Sequence, residues 1–125
     1  MTGSMALRAL REAIVLEHLE AENERDFVTT IAAFDRTRYE IAATGEVYEG
    51  RAEVSAYYSR SLRAWPDLRS EVVRVHHADD AAIVELEVAG TEPGTGRACR
   101  ARTTAFFEFD GPSLVGKRLY GDEPS

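Results

Sequence analysis

The sequence predicts one α+β domain with helices packed on one face of an antiparallel sheet. Three observations predict it. The N-terminal half carries apolar residues at helical spacing, the half after Leu68 turns to strand alternation, and turn dipeptides cut that second half into hairpins. A chain of 125 residues, 44% of them hydrophobic, is of ordinary single-domain size and can bury a sizeable core. Residues 1–125 read as one unit, with no repeat, low-complexity tract or linker.

Leu7, Leu10, Ile14, His18 and Ala21 recur at spacings of three and four, which predicts a helix over residues 5–24. Residues 1–5, with a second methionine at Met5, are expected to be disordered or a cloning remnant. Asp26 can cap a second helix, Phe27–Phe34. Tyr39–Ala42 and Val47–Tyr48 read as short strands around Thr44-Gly45. A third helix spans Ala52–Ala64, with Val54, Tyr57, Tyr58, Ser61 and Leu62 on its buried side, and Pro66 stops it.

Strands then follow at Leu68–Ala78, Ala82–Glu92, Arg97–Phe109 and Ser113–Asp122, separated by Asp79-Asp80, the Pro93–Gly96 tetrad and Asp110-Gly111. A two-residue Asp79-Asp80 turn sets Arg74 opposite Glu85. A four-residue Pro93–Gly96 loop sets Glu87 opposite Arg102, and each such pair supports the sheet by about 0.2–1 kcal/mol. Both turns give one partition of faces. Val72, Ile83, Arg100, Thr104 and Phe106 join the charged pairs outside, whereas Val73, Val75, Val84, Leu86, Val88, Cys99, Ala101, Thr103, Ala105 and Phe107 form an inner, concave face. The last strand stays open. A two-residue Asp110-Gly111 turn points Tyr120 and Asp122 inward, while a three-residue turn including Pro112 points them out and brings in Val115 and Leu119.

Composition removes several function classes. The net charge is −7 and the fourteen arginines are scattered among acids, so no basic stripe for nucleic acid exists. No stretch is long and apolar enough for a membrane helix, and the N-terminus lacks a signal-peptide pattern. Cys99 is the only cysteine; it has no adjacent base and reads as a core residue. A cytoplasmic location is therefore expected. His76-His77 cannot form a metal pair, since adjacent strand residues point to opposite faces. Ser59 and Ser61 lack a histidine–acid context, and Gly94-Thr95-Gly96 is a hairpin turn rather than a phosphate loop.

A set of short motifs runs along nearly the whole chain, from about residue 12 to 122: His18-x-x-Ala21-x-Asn23-x-x-Asp26, Tyr48-x-Gly50, Trp65-Pro66-Asp67-Leu68, Phe107-Glu108-Phe109-Asp110-Gly111 and Arg118-Leu119-Tyr120-Gly121-Asp122. In order and spacing they resemble the SnoaL-like polyketide cyclases, relatives in fold of ketosteroid isomerase and limonene epoxide hydrolase. The resemblance implies a cone: a curved antiparallel sheet wrapped around the N-terminal helices, with a deep apolar pocket for a small molecule. It also implies that Asp122 acts as acid/base, removing a proton alpha to a carbonyl without metal or cofactor.

On this reading the catalytic residues are Asp122, Tyr120 and His18. Tyr120 and Arg118 share a strand face with Asp122 in the inward register. His18 reads either as a proton shuttle or as a core histidine bonded to a backbone carbonyl. Tyr39, Tyr48, Tyr57 and Tyr58 can offer hydroxyls, Trp65 walls the pocket or fills the helix–sheet seam, and Leu86, Val88, Thr103 and Phe107 line it, with Arg118 binding substrate. Asn23 reads as a cap of the first helix or a substrate hydrogen-bonder. The function expected is a polyketide cyclase or isomerase acting on a hydrophobic carbonyl compound. One alternative is an epoxide hydrolase using Arg118 and Asp122; another is a non-catalytic ligand-binding or dimerisation module. The latter is favoured by the lack of a histidine in Arg97–Phe109. Ile83 and Phe106, among paired charges, mark the outer sheet face as a homodimer interface.

Overall fold

The computed structural model of the chain describes residues 2–121. The elements follow the expected order: α1 (Thr2–Asn23), α2 (Phe27–Ala32), β1 (Arg38–Ile41), β2 (Glu46–Glu49), α3 (Gly50–Ala64), β3 (Arg69–Ala78), β4 (Ala81–Thr91), β5 (Ala98–Asp110) and β6 (Ser113–Gly121). Residues 2–5, expected to be disordered or a cloning remnant, are helical and continue α1. Asp26 caps α2 as its sequence position suggests, with Oδ1 accepting from the Thr29 amide at 3.2 Å.

The six strands form one curved sheet in the order β2-β1-β6-β5-β4-β3. Neighbours pair antiparallel except β1 and β6, which run parallel, a pairing the antiparallel expectation missed. The chain between them is long enough to supply the crossover that a parallel pair requires. On the concave side, Val15 and Leu19 of α1 pack in one core with Val84, Leu86, Ala105 and Phe107. Each of the larger of these side chains contributes about 1.5–3 kcal/mol of apolar burial. Arg11 fastens the middle of α1 to two hairpin turns: its guanidinium donates to the carbonyls of Gly111 and Asp79, both at 2.9 Å.

Arg74 lies opposite Glu85 and Glu87 opposite Arg102, as the turns dictate. Arg102 approaches Glu87 at 3.5 Å, but Glu85 takes His76 as its partner at 2.6 Å. Two β-bulges then change the faces that simple alternation assigns. One falls between Val72 and Arg74, so Val72 sits opposite Leu86 on the concave side and Val73 is the extra residue, reversing their expected roles.

The second bulge decides the site. The β5–β6 turn is Gly111-Pro112, closed by Asp110 and Ser113, and Gly111 adopts the positive φ of 60° that such a turn demands. Between Phe109 opposite Leu114 and Glu108 opposite Gly116, β6 carries one residue more than β5, namely Val115. Every residue beyond it changes face. Lys117, Leu119 and Gly121 consequently point into the cone, opposite Phe107, Ala105 and Thr103, while Arg118 and Tyr120 face outward opposite Phe106 and Thr104.

The α1–α2 corner is equally specific. Asp26 N–H bonds the Ala21 carbonyl at 2.9 Å and Arg25 N–H bonds the Glu22 carbonyl at 3.1 Å, the two bonds of a Schellman motif. Arg25 holds the left-handed position with φ 64°, which favours glycine. Its guanidinium offsets part of that cost by donating to the Pro66 carbonyl at 3.0 Å, tying the corner to the end of α3. Asn23 proves to be a clamp rather than a cap: its amide exchanges two hydrogen bonds with the Ser70 backbone, at 2.8 and 2.9 Å, as a paired strand residue would.

Candidate functional site

Lysine is among the residues least often buried, yet Lys117, the only lysine beside fourteen arginines, has 3% of its surface exposed. It comes from the middle of β6, between Tyr39 on β1 and Phe107 on β5. Its ammonium lies 5.2 and 5.4 Å from the centroids of those two rings. It donates to His18 Nε2 and to Glu22 Oε2, each at 3.0 Å.

The directions of the surrounding hydrogen bonds follow from elimination. His18 is fully buried, and its Nδ1 lies 2.9 Å from the Thr30 carbonyl, which can only accept. Nδ1 therefore carries the ring proton, and Nε2 is the lone pair that accepts from Lys117. Tyr58 spends its hydroxyl hydrogen on Glu22 Oε2 at 2.6 Å, so Tyr39 must donate to Tyr58, also at 2.6 Å. One carboxylate oxygen thus collects an ammonium and a phenol. Among the described residues, Glu22 Oε1 has no hydrogen-bond partner on a side chain 20% exposed, and one ammonium N–H of Lys117 is likewise uncommitted.

These groups sit at the floor of a cavity of about 590 Å³ that opens between α1, α3 and the concave sheet face. Glu22, Tyr58 and Lys117 line it, and its walls are mainly apolar. Of the side chains expected to shape a pocket, Tyr48, Tyr57, Trp65, Leu86, Val88 and Thr103 do so. Tyr39 lies one layer deeper, behind Tyr58, Tyr57 and Lys117, and its hydroxyl bonds Tyr58. Phe107 is fully buried beneath Lys117 and against His18, a core residue rather than a lining one.

Two expected site residues lie elsewhere. Tyr120 is 43% exposed on the outer face, stacked edge-on against Phe106 at 5.4 Å. Arg118 lies over both rings and 3.7 Å from Glu108, remote from the cavity, so neither it nor Tyr120 serves the pocket, and the epoxide-hydrolase arrangement loses its arginine. The Val115 bulge is the cause. Asp122 lies outside the described residues. His76 and His77 pair with Glu85 and Glu12, and no group able to hold a metal exists among the described residues.

Sequence reasoning brought His18 to the site but missed Glu22 and Lys117. Their signals were present. Glu22 follows His18 by four residues, one helical turn on the same face, and Lys117 is the one lysine in an arginine-rich chain, inside an apolar strand.

The sequence profile of the SnoaL-like domain matches residues 15–115. The chain belongs to the SnoaL-like family. No curated protein matches its sequence. Solved structures similar to this SnoaL-like domain include a nuclear-transport-factor-2-like protein of unknown function from Burkholderia pseudomallei, 18% identical with a TM-score of 0.80, covering 90% of this chain and 91% of that one. AclR of Streptomyces galilaeus is 20% identical with a TM-score of 0.76, covering 91% and 79%. A protein of ketosteroid-isomerase-like fold from Catenulispora acidiphila, solved with trimethylamine, is 17% identical with a TM-score of 0.76, covering 86% and 83%. At these identities the likeness carries the cone fold.

The charge states at the floor of this SnoaL-like cone follow from burial and pairing. Burial, then the neighbouring Lys117 charge, push the His18 pKa from 6.5 down to about 3, against the opposing pull of Glu22 and Thr30. Burial alone would raise Glu22, but Lys117 foremost, with the hydrogen bonds from Tyr58 and Lys117, holds it at about 2 against 4.5. At neutral pH the floor is a neutral imidazole beside a carboxylate–ammonium pair. Tyr39 and Tyr58 are held well above the ordinary tyrosine value, chiefly by burial and then by Glu22, and stay protonated.

Both lowered values act on stability with one sign. Where the unfolded chain binds protons that the fold refuses, stability is lost as pH falls. The His18 contribution is complete above about pH 6.5 and drains as pH falls toward 3; that of Glu22 is complete above 4.5 and drains toward 2. Unfolding free energies from urea titrations between pH 7.5 and 4 should fall continuously below 6.5, by an amount on the order of a few kcal/mol. In His18→Asn the loss between 6.5 and 4.5 should be largely absent. A wild-type unfolding free energy constant over that interval contradicts the assigned charge states.

Proposed function

We propose that this SnoaL-like domain binds an apolar, carbonyl-bearing small molecule in the cone and transfers a proton on the carbon next to the carbonyl, as a cyclase or isomerase does. The observation that carries the reading is the Glu22–Lys117 pair at the floor of a mainly apolar cavity. A buried ion pair seldom adds stability over a well-packed apolar substitute, so packing alone gives no reason for it. A base beside a cation is, by contrast, what enolisation needs. Glu22 Oε1 takes the proton, and the uncommitted N–H of Lys117 meets the oxygen on which negative charge develops. His18 and Tyr58 hold the two charged groups in place.

The low pKa of Glu22 narrows the substrate class. A carboxylate held near 2 is a weak base, so it suits a carbon acidified by two flanking carbonyls better than that of a simple ketone. A poly-β-ketone or another 1,3-dicarbonyl has such a carbon, which agrees with a cyclase acting on a polyketide-like chain. The cavity walls, with Trp65, Tyr57 and Leu86, suit the apolar remainder.

The outer face of the sheet pairs with a second copy in this reading. Phe106, Tyr120 and the guanidinium of Arg118 form one aromatic–cation surface there, and Arg118 Nε is buried without a hydrogen-bond partner among the described residues. Sedimentation equilibrium should give a mass near twice 13.9 kDa, with Phe106→Asp shifting it to the monomer. A wild-type monomer at high micromolar concentration removes this part of the proposal.

Proton transfer is read by solvent-deuterium washout from a panel of cyclic and linear 1,3-diketones, followed by NMR. Wild type should accelerate it, and Glu22→Gln should lose roughly 10²–10⁴-fold. Because Glu22→Gln strands a buried ammonium, Glu22→Asp serves as a variant that keeps the charge balance and should lose less. The same assay on Asp122→Asn separates this reading from one in which Asp122 is the base. Diketones that bind without any accelerated washout would leave a ligand-binding module as the function.

A further inference from the structure

We infer that Lys117 is a covalent site, its Nζ condensing with the carbonyl carbon of an aldehyde or ketone in the cavity to form a protonated Schiff base. The inference rests on the preceding proposal for its substrate class and deepens it by assigning the amine a bond rather than only a charge. Three observations converge on it. Lys117 lines the cavity and is the only side-chain amine in the chain. Every other permanent cation is an arginine, a group that stays protonated and cannot act as a nucleophilic amine, whereas a buried lysine can. And its Nζ already touches a proton acceptor of fixed tautomer, the lone pair of His18 Nε2, at 3.0 Å.

The step balances without a co-reactant. Lys117 passes one ammonium proton to His18 Nε2, and the freed lone pair attacks the carbonyl carbon. A C–N bond forms while the C=O π pair moves onto oxygen. A proton moves from that nitrogen to the oxygen, giving a neutral carbinolamine. His18 then returns its proton to the hydroxyl as the nitrogen lone pair expels water. Ammonium plus carbonyl has become iminium plus water, and the positive charge has not left the nitrogen.

That conservation matters in a buried site. The iminium keeps Glu22 as its counter-ion, so the ion pair that the fold requires is present before and after the reaction. Only the intermediate shifts charge, and it shifts it to a group prepared for it. Part of what keeps His18 neutral is the charge of Lys117; once the proton has crossed, that repulsion is gone, while the attraction of Glu22 and the Thr30 carbonyl remains. The iminium also answers the weakness of the base. It draws electrons from the adjacent carbon more strongly than a neutral carbonyl does, so a carboxylate as weakly basic as Glu22 can remove the α-proton and leave an enamine. Glu22 Oε1 stands on the same floor to do so.

A single side-chain amine makes the test unambiguous. The full chain is incubated at pH 7 with cinnamaldehyde, benzaldehyde, 3-phenylpropanal or cyclohexanone in the presence of sodium cyanoborohydride, and adducts are located by peptide mass mapping. The expected result is a reduced adduct on Lys117 with at least one probe, formed about tenfold or more faster than on the N-terminal amine. Occupancy of the cavity is followed by the fluorescence of Trp65, the only tryptophan and a lining residue. Lys117→Arg, which keeps the charge and the ion pair, should bind the probes and take up label only at the N-terminal amine. Failure of all four carbonyls to label Lys117 in folded protein overturns the inference. If wild-type Lys117 takes no label while washout from diketones persists in Lys117→Arg, proton transfer stands and the covalent step falls. If Lys117 is labelled but no variant, nor wild type, shows washout, the proton-transfer reading falls and the reactive amine stands.

Discussion

A buried ammonium must have a counter-charge and hydrogen-bond acceptors within reach, and in this domain the arrangement of three separate elements answers that one demand. Lys117 stands on β6, one of the two central strands of the sheet. Glu22 reaches it from the last turn of α1, His18 from one turn earlier, and Tyr58 from α3. Removing one partner of such a pair typically costs 3–5 kcal/mol, because the other is left charged in an apolar place. The pair therefore fixes how far α1 advances into the cone and which face of β6 looks inward.

The position of Glu22 makes that dependence stricter. A helix C-terminus carries partial negative charge and disfavours a carboxylate there. Glu22 sits at that end, its own carbonyl closing the Schellman turn. Lys117 supplies the compensating charge, and Tyr58, backed by Tyr39, supplies a hydrogen bond in a direction that water would otherwise fill. The cost of the left-handed Arg25 and of the Val115 bulge belongs to the same account: both are local irregularities that place these groups, as irregular backbone often does beside a functional site.

Much of the fold was legible because it depends on patterns that the chain states locally. The Asp79-Asp80 and Pro93–Gly96 turns set two hairpin registers, and Arg74–Glu85 and Glu87–Arg102 fell opposite each other as alternation requires. Asp26 capped its helix, and His18 faced the interior. The site was less legible for a physical reason. A β-bulge has no firm sequence mark, yet one extra residue reverses the faces of everything beyond it. Tyr120 and Arg118 were placed by alternation in a strand that does not alternate uniformly, and Val115 moved them outside and Lys117 in. Glu22 was hidden differently. A glutamate at a helix end is commonly solvated, and only the sheet residue that meets it, ninety-five positions along the chain, gives it a role.

The central claim is that the single lysine is a protonated, solvent-protected ammonium bonded to Glu22 and His18. Labelling the protein with ¹⁵N-lysine gives one side-chain nitrogen signal, with no assignment needed. Its Nζ resonance, recorded between pH 6 and 8, should be that of an ammonium whose hydrogens exchange slowly enough to observe and show coupling to the Glu22 and His18 environment, changing in Glu22→Asp. An Nζ that exchanges its protons as fast as a free lysine, and is indifferent to Glu22→Asp, would contradict the buried pair and with it the site built on it.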